Sequence, residues 1–491
     1  MTDVSGLVRT SDVTLPIRIA GAALAASPRL EQIAEFDKWF ADSAARNLTT
    51  VTPVPLEELA GWSFDERTGN LAHESGKFFT VEGLDVRQPG GRVPHWTQPI
   101  INQPEIGILG ILVKDFGGVL HCLMQAKVEP GNCNGVQISP TVQATRSNYT
   151  RVHRGKPVPY LAYFTDTARH RVIADVLQSE QGSWFYQKRN RNMIVEVRED
   201  VEVLEDFAWV PLNLVHWLLS HENVVNMDAR TVLSCLPFSG MDLVGLLPSG
   251  DDDFRASLVR SCSELSGSRH GTDTILSWIT EARARADTSA SRIPLRDVRR
   301  WVRSPTGIAH ETGLYFGIMG VDVHASGREV ARWSQPMLRP SGDSLAAFLV
   351  RRIDGVLHVL ANARVEPGYF DAVELAPTVQ CTVGNYADVP PADRLPFLDE
   401  VLTADPSRIR FDATHSEEGG RFYHARTRYV VVETDAELAP REYPDHRWLT
   451  LNQLVGLLRH SHYVNVQARS LVACLHSMFG REWQRPNVIV R

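Results

Sequence analysis

The sequence predicts an α+β domain that occurs twice in one chain. From His121 to Tyr149 and from His358 to Tyr386, 15 of 29 positions are identical without a gap, at an offset of 237 residues. Further matches at offsets of 237 or 239 extend this repeat in both directions, which is the signature of a duplicated unit. Apolar alternation inside each copy predicts strands, and apolar residues at helical spacing predict helices at its ends. Each copy is therefore predicted to be a mixed or antiparallel sheet flanked by helices.

The elements are predicted in chain order from these patterns. Helical spacing in the first copy occurs at residues 30–47, 55–62 and 212–225, followed by a helix in VNMDAR (225–230). Residues 106–128 predict two strands around a Lys-Asp-Phe-Gly-Gly turn. Their counterpart at 345–365 turns at Asp354-Gly355, a strong hairpin signal.

These patterns divide the chain of 491 residues, which is too long for one hydrophobic core. We expect a first domain at 1–238 with an N-terminal extension, a linker at 239–271 and a second domain at 272–491. The linker is rich in Ser, Gly and Asp and has no counterpart in the other copy. Residues 15–28 resemble a signal sequence, but Arg18 interrupts the apolar run, so we interpret them as non-targeting.

Composition excludes several classes of protein. With 22% charged residues and a net charge of −7, neither a nucleic-acid partner nor a membrane surface is expected. No apolar run reaches the roughly 20 residues that span a bilayer. The six cysteines form no Cys-x-x-Cys pair, which favours a reducing cytoplasm over a disulfide scaffold or zinc site.

Repeated polar residues are the candidate site residues, because packing alone preserves only the apolar core. Each has two interpretations: it satisfies buried backbone groups, or it binds a ligand. Strand alternation points Thr141, Gln143 and Thr145 to one face, suited to a sugar or a base. Arg189 and Arg191 also alternate and could hold a pyrophosphate, although such a pair is often a solvated face. The first copy supplies Lys127, Glu129, His73, Tyr149, Trp96, Gln98, Thr141, Gln143, Arg146, Asn148, Tyr186, Arg189 and Arg191, and the second His310, Trp333, Arg364, Glu366, Thr378, Gln380, Tyr386, Tyr423, Arg426 and Arg428.

Several well-known sites are missing from the sequence. It contains no dinucleotide fingerprint, Walker loop, His-Glu-x-x-His or nucleophile elbow. Neither copy has the helical carboxylate cluster of a metal-dependent Nudix hydrolase. The nearest segment, 197–206, lacks the spacing and alternates like a strand. No metal site is therefore predicted.

The motifs AKVEPGN, VQISPTVQATRSNY, SEQGSWFYQKRNRN and VNMDAR, with their tandem arrangement, resemble the NDP-hexose 2,3-dehydratases of deoxysugar biosynthesis, in particular those acting on dTDP-4-keto-6-deoxyglucose in antibiotic pathways. The resemblance runs from about residue 30 to 480. It implies a Nudix-like fold in each half, a homodimer and a dTDP-linked 4-keto-6-deoxyhexose as ligand. It also implies that only one of the two pockets need be catalytic.

The implied reaction removes the C3 proton, which the neighbouring ketone acidifies, and expels the C2 hydroxyl as water to give a 3,4-diketo sugar. It requires a base, an acid and donors to the C4 oxygen, but no cofactor. We expect Lys127 and Glu129 to share the acid and base roles, with His73 and Tyr149 as further candidates. Arg189 and Arg191 would hold the diphosphate, and Trp96 or Tyr186 would stack on thymine.

The two copies differ in charge, which bears on the choice of active pocket. The first copy has Lys127, Gln137, Ser139, Arg146, Arg151, His153 and Lys156, and the aligned positions of the second are Arg364, Glu374, Ala376, Val383, Asp388, Pro390 and Asp393. An anionic ligand is thus expected in the first copy and repelled by the second, whose pocket is a degenerate one. A pocket shared between the copies or between subunits stays open. The rival functions are a metal-dependent nucleotide-sugar pyrophosphatase and a non-catalytic nucleotide-sugar binding protein.

Overall fold

A computed structural model describes residues 14–24, 27–146, 157–238, 245, 247, 253–326, 330–435 and 443–480. Strands of the first repeat are β1 (Thr49–Val54), β2 (Trp62–Phe64), β3 (Leu71–His73), β4 (Thr80–Arg87), β5 (His95–Asn102), β6 (Gly107–Phe116), β7 (Val119–Val128), β8 (Val136–Ser139), β9 (Val142–Ala144), β10 (Arg171–Ser179), β11 (Arg189–Glu196) and β12 (Phe207–Pro211). The helices up to residue 261 are α1 (Thr14–Leu24), α2 (Leu30–Arg46), α3 (Ala162–Thr165), α4 (Leu212–Leu218), α5 (Met227–Leu233) and α6 (Asp253–Ser261).

The second repeat follows the same order of elements. Its strands are β13 (Ser289–Ile293), β14 (Trp301–Ser304), β15 (Gly307–His310), β16 (Phe316–Ala325), β17 (Arg332–Pro340), β18 (Ser344–Ile353), β19 (Val356–Val365), β20 (Val373–Ala376), β21 (Val379–Thr382), β22 (Ile409–Ser416), β23 (Arg426–Glu433) and β24 (His446–Leu449). Its helices are α7 (Thr272–Arg285), α8 (Leu398–Leu402), α9 (Leu451–Leu457) and α10 (Val466–Ser477).

Each repeat contains one large mixed sheet. In the first repeat the order is β10-β11-β6-β7-β12, with β8 paired to β7 and β9 to β6. In the second it is β22-β23-β18-β19-β24, with β20 paired to β19 and β21 to β18. The β11/β6 and β23/β18 pairs are parallel, and the other pairs in these two sheets are antiparallel. The predicted α+β class and the internal duplication are confirmed.

Both predicted hairpin turns are present. Gly117 and Gly118 join β6 to β7 with φ of 63° and 88°, and Asp354 and Gly355 join β18 to β19 with φ of 50° and 77°. Positive φ at both central residues is the backbone of a type I′ turn, whose twist matches that of the flanking strands. These turns let β7 and β19 run back through the sheet to the Glu-Pro-Gly segments that follow them.

Two local predictions were wrong. Residues 55–62 form no α-helix, only a 3-10 turn at Leu56–Glu58, because Pro55 is extended and Gly61 has a φ of 77°. Residues 197–206 form a loop rather than a strand. Side chains satisfy the loop backbone: the Tyr160 hydroxyl donates to the Glu202 carbonyl and accepts from the Leu204 amide.

The repeats exchange one strand each in two smaller sheets. The first of these is ordered β13-β4-β3-β2 with β5 beside β4, and the second β1-β16-β15-β14 with β17 beside β16. Strand β1 lies antiparallel to β16, with Thr49 opposite Ala325, and β13 lies antiparallel to β4, with Ser289 opposite Arg87. Each repeat therefore completes the small sheet of the other.

Buried side chains also cross between the repeats. One apolar cluster includes Ile111 of the first large sheet and Phe348 of the second, together with Ile19 of α1. Arg230 on α5 and Arg469 on α10 are fully buried. The Arg230 guanidinium donates to the Ser416 carbonyl at 3.0 Å, and that of Arg469 to the Ser179 carbonyl at 2.6 Å. Each guanidinium thus holds a Ser-Glu-x-Gly segment of the opposite repeat. Among the described residues, no helix is both long and apolar enough to cross a membrane.

Candidate active site

The Glu-Pro-Gly turns after β7 and β19 bring the two repeats into direct contact. The Gly131 amide donates to the Gly419 carbonyl at 2.7 Å, and the Gly368 amide donates to the Gly182 carbonyl at 2.8 Å. A Cβ atom at Gly131 would lie 1.7 Å from the Phe422 carbonyl oxygen. Only glycine allows this approach. The residues beside each turn therefore face a loop of the other repeat.

The first of the two candidate sites surrounds Lys127 and Glu129, and we call it the Lys127 site. The Lys127 ammonium lies 3.8 Å from Glu129 Oε1, to which the Gln143 amide also donates at 2.8 Å. Asn226, which caps the N-terminus of α5, donates to Gln143 at 3.3 Å. Two strands and a helix start thus fix the Glu129 carboxylate beside the lysine.

The second site, the Arg364 site, repeats this arrangement of contacts. The Arg364 guanidinium donates to Glu366 Oε1 at 2.8 Å, and the Gln380 amide donates to the same oxygen at 3.0 Å. Asn465, the N-cap of α10, donates to Gln380 at 2.8 Å. A group from the first repeat completes it, because the Ser183 amide donates to Glu366 Oε2 at 3.1 Å.

A cavity of about 650 Å³ opens at the Arg364 site and is lined by both repeats. Trp96 and Gln98 of β5 line it together with Arg364, Glu366 and Tyr386. Its volume is in the range of pockets that hold small organic ligands. Among the described residues that line it, Glu366 is the one carboxylate, and four are arginines: Arg92, Arg299, Arg300 and Arg364.

This charge corrects the expectation that the second site repels an anion. Glu374, which supported that expectation, is fully buried and accepts a hydrogen bond from the Ser179 hydroxyl at 2.5 Å. Burial raises its pKa to about 7. Asp388 and Asp393 do not line the cavity. Three of the four arginines come from segments that were not considered as site residues.

Each Trp-x-Gln pair lies at the site of the other repeat, whereas the sequence predicted that it belongs to the site of its own repeat. The Trp96 indole donates to Gln98, which donates to the Ser183 carbonyl at 2.8 Å, inside the Arg364 cavity. The Trp333 indole likewise donates to Gln335 at 3.0 Å, and Gln335 donates to the Gly420 carbonyl at 2.8 Å. A Cβ atom on Gly420 would lie 3.5 Å from Glu129 Oε1, so this second strand serves the Lys127 site.

The Arg-x-Arg pairs lie on strands, as predicted, but their guanidinium groups have protein partners. Arg191 makes two 2.7 Å contacts with Asp175, and Arg428 binds Asp412 in the same way. Arg189 lies over the Phe370 ring at 5.0 Å. Arg426 binds Asp343, Tyr186 lies under Arg292 and Tyr423 stacks on His424. The structure brings none of these predicted residues into the described cavity.

Thr141 and Thr378 lie between strands. Each hydroxyl accepts a backbone amide at 2.9 Å, from Leu112 and Leu349 respectively. Both residues are 2% exposed, so their hydroxyls bind the sheet backbone. Arg146 is exposed at the end of a described segment, and Asn148 and Tyr149 lie outside the described residues.

The two histidines occupy corresponding positions at the ends of β3 and β15. His73 Nδ1 lies 2.8 Å from the Ser75 hydroxyl, and His310 Nδ1 lies 2.7 Å from that of Thr312. His310 lines the cavity, where burial and then Arg300 lower its pKa, so its ring is neutral at neutral pH. Burial also raises the pKa of the nearby Tyr386 hydroxyl.

Sequence reasoning missed two positions at which a carboxyl in one site replaces an amide in the other. Gln181 and Gln467 line the Arg364 cavity, and they align with Glu418 and Asp228 at offsets of 237 and 239. The signal was present in the internal alignment, where these positions differ within otherwise matched motifs. No three His, Cys, Asp or Glu side chains group as metal ligands in the part of the chain that the structure describes.

Comparison with known proteins agrees with this arrangement of two related halves. The profile of the family described as NDP-hexose 2,3-dehydratase matches residues 33–236 and 272–475. A dTDP-4-dehydro-6-deoxy-alpha-D-glucopyranose 2,3-dehydratase of Saccharopolyspora spinosa is 52% identical over 94% of this chain and 95% of its own. Proteins of the same name from Amycolatopsis orientalis and Streptomyces violaceoruber are 48% and 49% identical, over 89% and 92% of this chain and 89% and 98% of their own. The chain belongs to the NDP-hexose 2,3-dehydratase family.

Proposed function

We propose that the protein is a hydro-lyase that converts dTDP-4-keto-6-deoxyglucose into the 3,4-diketo-2,6-dideoxy sugar nucleotide, as a step of deoxysugar biosynthesis. The observation that carries this function is the match to three relatives named for the 2,3-dehydration, at 48–52% identity over 89–94% of the chain. A pyrophosphatase is not favoured by these relatives.

The Lys127 site is our proposed location for the reaction. Lysine can lose its proton when burial or positive neighbours depress its pKa, whereas arginine effectively cannot. The pairing of Lys127 with Glu129 at 3.8 Å, held by Gln143, offers a base for the C3 proton and a partner that orients it. Donors around the pair would stabilise charge on the C4 oxygen. His73 and Tyr149 stay candidates for proton transfer.

For the Arg364 site we propose a degenerate binding role. Four guanidinium groups around one carboxylate favour a diphosphate. Trp96 presents an aromatic ring to the same cavity and could stack on thymine. The half-buried Arg364 guanidinium and the buried Glu366 carboxylate form an ion pair at 2.8 Å. Neither Gln181 nor Gln467 can supply a proton as a carboxylic acid does.

Three further properties belong to this proposal. We propose that each repeat is Nudix-like, supported by the mixed sheet flanked by helices and by the family resemblance. We propose a homodimer, for which light scattering at micromolar concentration should give twice the 54.8 kDa of one chain. We also propose a cytoplasmic location, consistent with six free cysteines, four of them buried.

The experiment that tests the function is the product formed from dTDP-4-keto-6-deoxyglucose with and without EDTA. We expect a diketo-2,6-dideoxy sugar nucleotide at the same rate in both. Release of dTMP would support a pyrophosphatase, and unchanged ligand would support a binding protein. Loss of turnover with EDTA, restored by Mg²⁺ or Mn²⁺, would contradict a metal-independent dehydration.

A further inference from the structure

Glu418 lies at one of the two positions where a carboxyl in the Lys127 site replaces an amide in the Arg364 site. It follows Glu417 in the Ser-Glu-Glu-Gly segment of the second repeat, and its counterpart Gln181 lines the Arg364 cavity. Because the repeats exchange these segments, Glu418 belongs to the Lys127 site, although it lies 291 positions after Lys127 in the sequence.

The geometry places Glu418 beside the catalytic pair. A Cβ atom built on Gly420 would lie 3.5 Å from Glu129 Oε1 and 3.6 Å from Glu418 Oε1. One point next to the Gly420 backbone is therefore in contact range of both carboxyl groups. The neighbouring Gly419 also packs against Glu129, since a Cβ atom built on Gly419 would lie 2.8 Å from Glu129 Cβ.

The environment of Glu418 keeps a proton on it. Its Oε2 atom is shielded from solvent and has no hydrogen-bond partner in the part of the chain that the structure describes. The charged or titratable groups that face it are Glu180, Arg421, Glu129, Lys188 and the buried Asp228. Burial, and then Glu180, raise its pKa to about 8 in spite of Arg421 and Lys188, so the side chain is mainly a neutral acid at pH 7. An acid with a pKa near the working pH is well suited to donate a proton.

We propose that Glu418 is the general acid that protonates the departing C2 hydroxyl; this rests on the proposed reaction in the Lys127 site. The Lys127 and Glu129 pair takes the C3 proton, and the electrons of that bond form the enolate. The enolate then forms the C2–C3 double bond as the C2–O bond breaks. Glu418 gives its proton to the leaving oxygen, which departs as water. The C3 enol then takes up a proton at C2 from the protonated base and gives its hydroxyl proton to the Glu418 carboxylate, which makes the ketone. The base and Glu418 return to their starting protonation states, and one water is released in total.

The test separates proton removal from elimination. Full-length Glu418→Gln enzyme is incubated with dTDP-4-keto-6-deoxyglucose in D₂O, and both product and recovered substrate are analysed by mass spectrometry and NMR. We expect turnover to fall by roughly 10²-fold or more, the range for a lost acid group. Recovered substrate should still gain deuterium at C3, because the base is intact.

Two further variants separate chemistry from structure. Glu418→Asp keeps a carboxyl group and should recover part of the lost turnover. Glu264→Gln makes the same change at an exposed carboxyl and should leave turnover and melting temperature unchanged. Turnover by Glu418→Gln within a few-fold of the unmodified enzyme would overturn the proposal, and so would loss of C3 exchange together with turnover, which would make Glu418 the base. Absence of diketo product from the unmodified enzyme would instead overturn the proposed function itself.

Discussion

The Lys127 site and the Arg364 site are built on the same contacts but carry different chemistry. In both, a glutamate after the strand accepts from a glutamine, which accepts from the asparagine that caps a helix. Where the first has a lysine and Glu418, the second has an arginine and Gln181. The comparison teaches that the side-chain hydrogen bonds that position the glutamate are kept in both copies, while the lysine and the second carboxyl are present in one.

Three arginines at the Arg364 cavity were not expected from the sequence, which predicted that the second site repels an anion. Arg92, Arg299 and Arg300 reach the Arg364 cavity from loops and strand ends, and Ala60 and Gly61 align with the last two. A cavity rich in guanidinium groups is suited to hold a diphosphate, but these groups do not exchange protons near neutral pH. Under the proposed assignment, the second copy binds a ligand and the first carries out the reaction.

The largest difference in turnover should appear between two variants in which the cation of each site, Lys127 or Arg364, is replaced by alanine. Lys127→Ala should lower turnover by roughly 10²-fold or more, the range expected for a lost acid or base group. Arg364→Ala should leave it within a few-fold. Circular dichroism and melting must show both variants folded. If Arg364→Ala alone abolishes turnover, the active pocket is the Arg364 site, and if both do, the sites act together.

Replacing Gly131 or Gly368 by alanine should lower stability to the same extent in both repeats, whereas the alanine variants of Lys127 and Arg364 should differ in turnover. A Cβ atom at Gly131 or Gly368 would lie 1.7 or 1.9 Å from a carbonyl oxygen of the other repeat. We expect each change to lower the free energy of unfolding by about 3 kcal/mol or more. Denaturant titration measures this, and a large loss in only one variant would show that the two turns are not equivalent.

Arg92→Ala should weaken ligand binding at the Arg364 site without touching the Lys127 site. Loss of one hydrogen bond to a charged group predicts about a tenfold weaker affinity for dTDP. Calorimetric titration should then show one of two binding events weakened, with turnover within a few-fold. A single binding event in the unmodified protein, insensitive to Arg92, would remove the proposed second site.

The smallest expected effect is a decrease in turnover as the pH rises through the pKa of Glu418. Glu418 must be protonated to act as an acid, and its pKa is raised to about 8. Turnover should therefore fall by about twofold between pH 7 and 8 and more steeply above. The pH profile of Glu418→Asp should keep a descending limb, whereas that of Glu418→Gln should lose it. A profile that rises throughout this range would contradict the acid role.

Much of the fold could be predicted from the sequence, because the same strand, turn and helix patterns occur in both copies. The Asp354-Gly355 turn and helix α2 are local signals, decided by backbone conformation and apolar spacing. The pairing of Trp96 with Arg364 was not predictable in this way, because it depends on which repeat each segment joins. Likewise, the sequence does not show that Glu418 lies near Glu129, because that contact depends on the exchange of segments between the repeats.

The strand exchange sets the order in which the chain can fold during synthesis. The first small sheet needs β13, so it stays incomplete until the ribosome has made residue 293, long after β4 has emerged. Strand β1, made early, has no partner until β16 appears at residues 316–325. The two halves therefore cannot finish one after the other, as independent domains do. A nascent chain stopped at residue 238 would lack the partners of both β1 and β4. We expect it to aggregate or to be degraded, because these two strand edges would be exposed.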